Sequence, residues 1–136
     1  MVAHAKFPVE ILTPEGEVFN GEVEMVSTRT TLGLIGVMAR HAPLLATLEP
    51  TELRLYRSEN DIARYAQSEG YLQVGGNHAL LLLEEVHPVE DLDVEKLREN
   101  LRTAEQEIAE AGDDAERRKL AERDKKRWEV FLSIAG

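Results

Sequence analysis

The chain of 136 residues carries 16 Lys and Arg against 26 Asp and Glu, which gives a formal net charge of −10 at pH 7, and it contains no cysteine. The acidic balance opposes binding to nucleic acid or to anionic lipid, and the lack of cysteine excludes disulfides, thiol nucleophiles and thiolate metal sites. A hydrophobic fraction of 43% is sufficient for the core of one ordinary domain or two small ones.

Short apolar runs between Phe7 and about Val86 predict β-strands. The runs are FPVEIL, EVEMV, ELRLYR, IARYAQ, YLQV and ALLLLEEV. Turn-forming residues separate them: Pro14-Glu15-Gly16, Asn20-Gly21, Ser58-Glu59-Asn60-Asp61, Glu69-Gly70 and Gly75-Gly76-Asn77. This spacing predicts an antiparallel sandwich or barrel. The last run is apolar on both faces, so it is expected to be a central strand.

The stretch GLIGVMARHAPLLATLEP, which starts at Gly33, contains no catalytic motif. It lacks the Lys-Ser/Thr ending of a phosphate-binding loop. His41 is expected to hydrogen-bond the loop backbone or to line a protein contact, and a ligand role is the alternative. Leu44 and Leu45 are expected in the core. The four histidines are dispersed without metal-ligand spacing, so we predict neither a catalytic nor a metal site.

After His87-Pro88 the apolar period changes to alternate steps of three and four, which predicts a helix that packs against a second one. The positions concerned are Val94, Leu97, Leu101, Ala104, Ile108 and Ala111. Asp91 and Asp93 suit the first turn of this helix, and Gly112 suits its end.

A second helix is predicted to begin near Asp114, with Glu116 completing a capping box. Its inward side is expected to consist of Leu120, Ala121, Trp128, Phe131, Leu132 and Ala135, with the basic residues outward. The short connection makes the two helices antiparallel. The basic residues are either a solvated face with intrahelical ion pairs or a docking site for an acidic surface, and both interpretations remain open here.

The order of these segments resembles the ε subunit of bacterial F-type ATP synthases, which is homologous to the mitochondrial δ subunit. The resemblance covers nearly the whole chain: FPVEILTPEGEVFNGEVEMV, then TTLGLIGVMARHAPLLATLEP with His41-Ala42-Pro43-Leu44-Leu45, then SEGYLQVGGNHALLLLEEV, then the helical hairpin. It implies an α+β chain of segregated domains. Residues 1–87 would form an antiparallel β-sandwich that binds the rotor, and residues 88–136 an antiparallel two-helix regulatory hairpin.

The resemblance further implies a non-catalytic central-stalk subunit of a proton-translocating synthase, which links the γ subunit to the c-ring and restrains ATP hydrolysis. In the family the loop corresponding to 33–43 faces the ring. The residues expected to contact the c-ring or γ are Gly33, Leu34, Gly36, Met38, Arg40, His41, Ala42 and Pro43. Leu34 departs from the acidic residue that is frequent at its position in the family, so we expect an apolar contact there in place of a polar one.

In the family the helical hairpin extends towards the catalytic α and β subunits, where it inhibits hydrolysis. The residues expected to make this inhibitory contact are Arg117, Arg118, Arg123, Lys125, Lys126 and Arg127. Some members bind regulatory ATP through an Ile/Leu-Asp-x-x-Arg-Ala segment, which matches Leu92 to Leu97 here. Asp93 is kept, but Lys96 and Leu97 replace the arginine and the alanine, so we expect weak or no ATP binding and no cofactor.

The resemblance implies a peripheral position at the cytoplasmic face of the bacterial plasma membrane, without membrane insertion or nucleic-acid binding. Two other functions are considered. The chain could be a free-standing β-sandwich adaptor that dimerises through its helical hairpin, or a small enzyme that uses His41 with Glu49 or Glu52, although no motif supports the enzyme.

Overall fold

The computed structural model describes residues 4–136 of the chain. Contacts divide it into two compact units, of which the first ends at Pro88 and the second begins at Val89. Among the described residues, the β-strands lie in the first unit and the helices in the second.

Residues 4–88 of the first unit contain ten strands. They are β1 (Phe7–Thr13), β2 (Gly16–Val23), β3 (Met25–Thr30), β4 (Gly33–Met38), β5 (Leu44–Leu48), β6 (Thr51–Ser58), β7 (Asp61–Gln67), β8 (Gly70–Gly75), β9 (His78–Leu83) and β10 (Val86–Pro88). Hydrogen-bonded neighbours follow the order β10-β7-β6-β3-β5-β8-β9-β1-β2, and β4 pairs with β3. The β-sandwich fold expected from the alternating runs is confirmed.

Strand β9 lies between β8 and β1, which is the central position expected for a strand with apolar residues on both faces. Its pairing with β8 is antiparallel, but its pairing with β1 is parallel, from Val9 opposite Ala79 to Leu12 opposite Leu82. One pair therefore departs from the all-antiparallel arrangement that the sequence predicts.

Two strand runs have boundaries other than those predicted. Glu24 separates β2 from β3, so the run EVEMV is split between two strands. The predicted turn at Asn20-Gly21 does not exist, because both residues lie inside β2, where Gly21 pairs with Val9 of β1. The run ALLLLEEV likewise ends as a strand at Leu83, and β10 begins at Val86.

Alternate residues of the strands form one core. Its large members with almost no exposed surface are Phe7, Val9, Ile11, Val23, Val26, Leu48, Leu53, Leu55, Leu72 and Leu81. Gln67 is also fully buried among them. Its amide oxygen accepts a hydrogen bond from Thr28 Oγ1 at 2.6 Å, and its Nε2 donates to the Glu49 carbonyl at 2.9 Å. The buried amide is thus paired on both sides, as a polar group inside a core must be.

Glu52 is expected to make the stability of the sandwich depend on pH. The Arg64 guanidinium, with Arg54 beside it, holds the pKa of the Glu52 carboxyl below its usual range, and Arg64 Nη2 lies 2.6 Å from Glu52 Oε1. A carboxyl with a lowered folded-state pKa stabilises the fold above its unfolded pKa, and this contribution is lost as the pH falls through the folded value. Chemical denaturation between about pH 5 and pH 3 should therefore show a shallower loss of stability for Glu52→Gln than for the parent chain. Equal pH slopes would contradict this role of the ion pair.

The second unit consists of a short 3-10 turn, Val89–Asp91, and two helices, α1 (Val94–Ala111) and α2 (Ala115–Ala135). Asp93 is the N-cap of α1 and Asp114 is the N-cap of α2, with their carboxylates accepting the backbone N–H of Lys96 and Arg117. Since Asp114 is the N-cap, Glu116 is the second helical residue and cannot form the predicted capping box, which needs the third position.

The facing sides of α1 and α2 follow the predicted period in most positions. Leu97, Ala104 and Ala111 are buried on α1, and Ala121 and Phe131 are buried on α2. The Phe131 ring also meets Trp128 edge to face, with centroids 5.8 Å apart. Leu120 was predicted to face inward, but half of its surface is exposed.

Candidate functional site

The segment 33–43 is not the continuous loop that was expected. Residues Gly33–Met38 form β4, which pairs with β3 from Thr30 opposite Gly33 to Met25 opposite Met38. Thr31 and Leu32 form the turn between β3 and β4, so the turn precedes the segment that was expected to be a loop. Thr30 Oγ1 holds it by accepting the Leu32 N–H at 3.1 Å and donating to the Gly33 carbonyl at 3.2 Å. Gly33, at φ +127°, has a backbone conformation that other residues rarely adopt.

The β3–β4 hairpin carries apolar side chains that face solvent. Leu32 at the turn is 98% exposed and Leu34 is 70% exposed, and Met38 at the other end of β4 is also exposed. The alternate residues Ile35 and Val37 pack on the core side of the strand. We call Leu32, Leu34 and Met38 the β4 face. Surface leucines this exposed, in a row on one hairpin, are typical of a contact site for another protein.

The turn between β4 and β5 is fixed by backbone hydrogen bonds. Arg40 has a positive φ of 62°, and its N–H donates to Asn77 Oδ1 in the β8–β9 turn at 2.8 Å. The His41 N–H donates to the Met38 carbonyl at 3.2 Å, and His41 Nδ1 lies 2.6 Å from the Ala42 carbonyl oxygen. His41 therefore closes a turn, while Ala42 and Pro43 are exposed beside it. In the enzyme hypothesis His41 would act with Glu49 or Glu52, but Glu52 is ion-paired with Arg64 and Arg54.

A second apolar surface lies on the outer side of strands β5, β8 and β9. Leu45 is 75% exposed, Tyr71 57% and Leu82 42%. The strand register places them together, because Tyr71 pairs with Thr47 on one side and with Leu82 on the other, and Leu45 lies two residues before Thr47. We call these three residues the β8 face. Leu45 was predicted in the core, but only Leu44 packs there, because adjacent strand residues point to opposite sides.

A shallow cavity of about 380 Å³ adjoins the β8 face. Its lining contains Leu12, Pro14, Tyr71, Leu82 and Leu83. The sequence analysis did not identify this surface. The alternation of exposed and buried residues along each strand could have indicated it. On β8, the exposed Tyr71 and Gln73 alternate with the buried Leu72 and Val74, and on β9 the exposed Leu82 lies between the buried Leu81 and Leu83.

The basic residues of α2 do not all face solvent. Arg127 was predicted to lie on the outward side, but it is only 8% exposed, and its guanidinium lies 5.5 Å from the centre of the Trp128 ring. Burial lowers the pKa of this guanidinium. A long arginine side chain can cover apolar surface with its methylene groups, and this explains how a charged residue takes an inward position on the helix.

Other basic residues of α2 are bound within the helical hairpin. Arg117 Nε and Nη2 donate to the two carboxylate oxygens of Glu107 on α1 at 2.9 and 3.0 Å, and Arg117 also lies 3.6 Å from Glu110. Arg117 thereby lowers the pKa of the Glu107 carboxyl. Arg118 donates to the Gly112 carbonyl, and Arg123 lies 3.5 Å from Asp124. Helix α2 contains seven basic and four acidic residues, and α1 contains three basic and five acidic ones.

The expected ATP-binding residues lie at the start of α1. Asp93 Oδ1 accepts the Lys96 backbone N–H at 3.2 Å, so the aspartate serves as a helix cap. A groove between α1 and α2 further along the hairpin has a volume of about 370 Å³ and includes Asn100, Leu120, Asp124 and Trp128. Neither Asp93 nor Lys96 lines this groove.

Over residues 4–136, no helix is both long enough and apolar enough to cross a lipid bilayer. The same part of the chain holds no group of three or more His, Asp or Glu side chains arranged to bind a metal ion.

Comparison with known families gives one match that covers more than half of the chain. Residues 6–89 match the model described as "ATP synthase, Delta/Epsilon chain, beta-sandwich domain". Among curated proteins, the ATP synthase epsilon chain of Persephonella marina is 35% identical over 131 residues, which is 96% of both chains.

Solved structures share the fold of the whole chain. A chain of the Euglena gracilis mitochondrial ATP synthase, in a structure containing OSCP, F1 and the c-ring, superposes with a TM-score of 0.81 at 21% identity, covering 100% of this chain and 85% of the other. A chain in the Tetrahymena thermophila mitochondrial ATP synthase central stalk and c-ring superposes with a TM-score of 0.66 at 14% identity, covering 99% and 100%.

Proposed function

The chain belongs to the ATP synthase delta/epsilon chain family, and we propose that it is the non-catalytic rotor subunit that links the γ subunit to the c-ring of a proton-translocating F-type synthase. It would lie peripherally at the cytoplasmic face of the bacterial plasma membrane and would restrain ATP hydrolysis through its C-terminal helices. The proposed rotor contact is supported by the two exposed apolar faces of the β-sandwich, the β4 face and the β8 face. Neither face is explained by packing within the sandwich.

The β4 face is the proposed contact with the c-ring. Leu32 lies in the β3–β4 turn and Leu34 is the second residue of β4, and both side chains are largely exposed. No acidic residue lies on β4. The contact would therefore be apolar, and its strength should depend little on ionic strength, because salt screens charges but not apolar burial.

The β8 face is the proposed contact with γ. Leu45, Tyr71 and Leu82 form a continuous apolar surface across three neighbouring strands, beside a shallow cavity. A large aromatic residue at the centre of an exposed apolar surface is a frequent anchor of protein interfaces.

The helical hairpin is the proposed regulatory element that reaches the α and β subunits. The excess of basic residues on α2 would favour an acidic surface on a catalytic subunit. Arg117 is paired with Glu107 of α1, Arg118 donates to the Gly112 carbonyl between the helices, and Arg123 lies beside Asp124 on its own helix. Opening of the hairpin would release Arg117 from Glu107 and make it available to a partner.

The proposed roles of the β-sandwich in γ binding and of the helical hairpin in inhibition can be tested with a reconstituted αβγ complex. The full chain and a chain that ends after Pro88 should both bind γ in gel filtration, because the strands and both apolar faces lie before that residue. Only the full chain should reduce ATP hydrolysis, by several-fold. Equal inhibition by the shortened chain would contradict a regulatory role of the helices. Failure of both chains to bind γ would contradict the rotor function itself.

A further inference from the structure

The strand register places a row of apolar side chains across the outer side of strands β7, β6, β3 and β4. Ile62 pairs with Tyr56, Tyr56 pairs with Met25, and Met25 pairs with Met38. Ile62 is 37% exposed and Met38 38%, and the two residues between them are partly buried. A neighbour of each residue along its strand packs on the core, so the row itself faces away from the core.

A pair of arginines lies beside this row. Arg54 and Arg64 are directly opposite each other on β6 and β7, and each side chain is 47% exposed. Like charges in this position destabilise a sheet. The single carboxylate of Glu52 accepts hydrogen bonds from both, from Arg64 Nε and Nη2 at 3.1 and 2.6 Å and from Arg54 Nε. We use the name β6 face for Met25, Arg54, Tyr56, Ile62 and Arg64.

The β6 face is basic, although the whole chain carries a formal charge of −10. Within the described residues, the outward positions of β3, β6 and β7 carry three arginines and one carboxylate, namely Arg29, Arg54, Arg64 and Glu52. Arg57 and Asp61, at the β6–β7 turn, form an ion pair of their own at 2.8 Å. Arginine, tyrosine and methionine are enriched in protein interfaces. An arginine pair that costs stability beside an apolar row is therefore suited to a partner with both apolar and acidic side chains.

Backbone pairing restricts the kind of partner that fits the β6 face. Strand β6 pairs with β7 on one side and with β3 on the other, and β3 also pairs with β4. A partner on this face is therefore held by side chains, and a helix, whose own backbone groups are paired internally, is the element that commonly covers a sheet face. The row crosses four strands, which is about 14 Å and corresponds to about ten residues of helix.

We propose that the β6 face binds an amphipathic helix of a partner protein, whose apolar side covers the row and whose Asp or Glu side chains pair with Arg54 and Arg64. Arginine and carboxylate form directional, charge-assisted hydrogen bonds, which would fix the position of the helix on the face. The inference goes beyond the proposed function, because the residues of the β6 face lie outside the surfaces assigned to γ and to the c-ring.

Two other occupants fit the β6 face less well. In a symmetric dimer the same surface of both copies meets, so the arginine pairs would face each other. An anionic lipid surface would attract the arginines, but the charge of −10 on the whole chain opposes its approach. An acidic helix needs to approach only the basic part of the chain.

A synthetic helical peptide of about 18 residues, or about five turns, is the probe that tests the proposal. One side of it carries leucine and the flanks carry glutamate, and a matched peptide has glutamine in place of every glutamate. We expect the full chain to bind the acidic peptide at least about tenfold more tightly, because only carboxylates pair with the arginines. Amide NMR shifts should be concentrated in β3, β6 and β7. Equal affinity for the two peptides, or shifts concentrated in β8 and β9, would overturn the proposal.

A matched pair of double variants separates the β6 face from general charge attraction. Arg54→Gln with Arg64→Gln should weaken binding of the acidic peptide by about tenfold or more. Arg98→Gln with Arg102→Gln removes the same charge from exposed positions on α1 and should weaken it by less than about twofold. Thermal unfolding of both variants establishes that they are folded. Equal losses of affinity would overturn the proposal.

Ile62→Asp gives a readout that is independent of the arginines. It places a carboxylate in the apolar row, so it should weaken binding of the acidic peptide by about tenfold or more. Failure of γ binding by the parent chain would contradict the proposed function and leave this proposal intact. Tighter binding to phosphatidylglycerol vesicles than to the peptide would overturn the proposal, as would a dimer of the chain in sedimentation that Ile62→Asp dissociates.

Discussion

Gly70→Ala is expected to destabilise the β-sandwich by about 3 kcal/mol, at the upper end of the effects of overpacking. A Cβ added at Gly70 would collide with the backbone carbonyl oxygen of Leu82 on the neighbouring strand and would lie 3.0 Å from Leu83 Cα. These are backbone atoms, so no rotation of a flexible side chain can relieve the collision. Strands β8 and β9 would have to separate at the point where Gly70 pairs with Leu83.

Gly75→Ala is the control for this substitution. Gly75 ends the same strand, and a Cβ added there meets no atom within 4 Å. Urea denaturation of both variants should show a large decrease in the free energy of unfolding for Gly70→Ala and a change within about 0.5 kcal/mol for Gly75→Ala. A loss below about 1 kcal/mol at Gly70 would mean that the strands can separate there at little cost.

Replacing Leu45 and Tyr71 together by aspartate is expected to weaken γ binding by about a hundredfold or more, which corresponds to about 2.7 kcal/mol. Both side chains lie on the β8 face and are more than half exposed, so the double variant should fold as the parent does. Burying two carboxylates against a partner would incur a large desolvation cost in the complex only. Equilibrium binding to isolated γ, measured beside thermal unfolding, separates the two effects.

Ile62→Asp provides the comparison for this double variant. Ile62 is an exposed apolar residue on β7, away from the β8 face in the strand order. Its replacement should leave γ affinity within about twofold of the parent, since surface substitutions outside an interface change little. If the double variant binds γ as tightly as Ile62→Asp does, γ does not contact the β8 face.

The strands predicted from the sequence lie in short runs, alternating or continuous in apolar residues, that no glycine interrupts. Strand β4 was missed because Gly33 and Gly36 suggested a loop, although Gly36 lies within the strand. Asn20-Gly21 suggested a turn for the same reason. There the ring of Phe19 covers the glycine, with its nearest atom 3.2 Å from the place of a Gly21 Cβ, and the strand continues. Glycine permits a turn but does not require one.

The helices were predicted closely because a long amphipathic period has few alternative interpretations. The helix start near Asp114 follows from the stop at Gly112 and the capping aspartates after it, and the buried positions Leu97, Ala104 and Phe131 follow from the spacing of apolar residues. The errors at Leu120 and Arg127 arise from treating polarity as the measure of burial. Ala121 occupies the inward position beside Leu120, and the long stem of Arg127 permits its burial.

The exposed apolar faces could not be found by counting hydrophobic residues. Leu44 and Leu45 are the same residue type at adjacent positions, but Leu44 packs on the core and Leu45 faces solvent. Only the register of β5 against β8 decides which is which. That register depends on contacts between segments distant in the chain, and these are absent from the local pattern.

The ion pair between Arg117 and Glu107 gives the helical hairpin an internal competitor for any acidic partner. On the proposed function, a catalytic subunit that binds Arg117 must first displace a carboxylate that already holds it by two hydrogen bonds. The strength of inhibition would then depend on α1 as well as on the residues that touch the partner. Substitutions at Glu107 or Glu110 could thus strengthen the restraint of hydrolysis without altering the inhibitory surface, and evolution could adjust that restraint through residues that the catalytic subunits never contact.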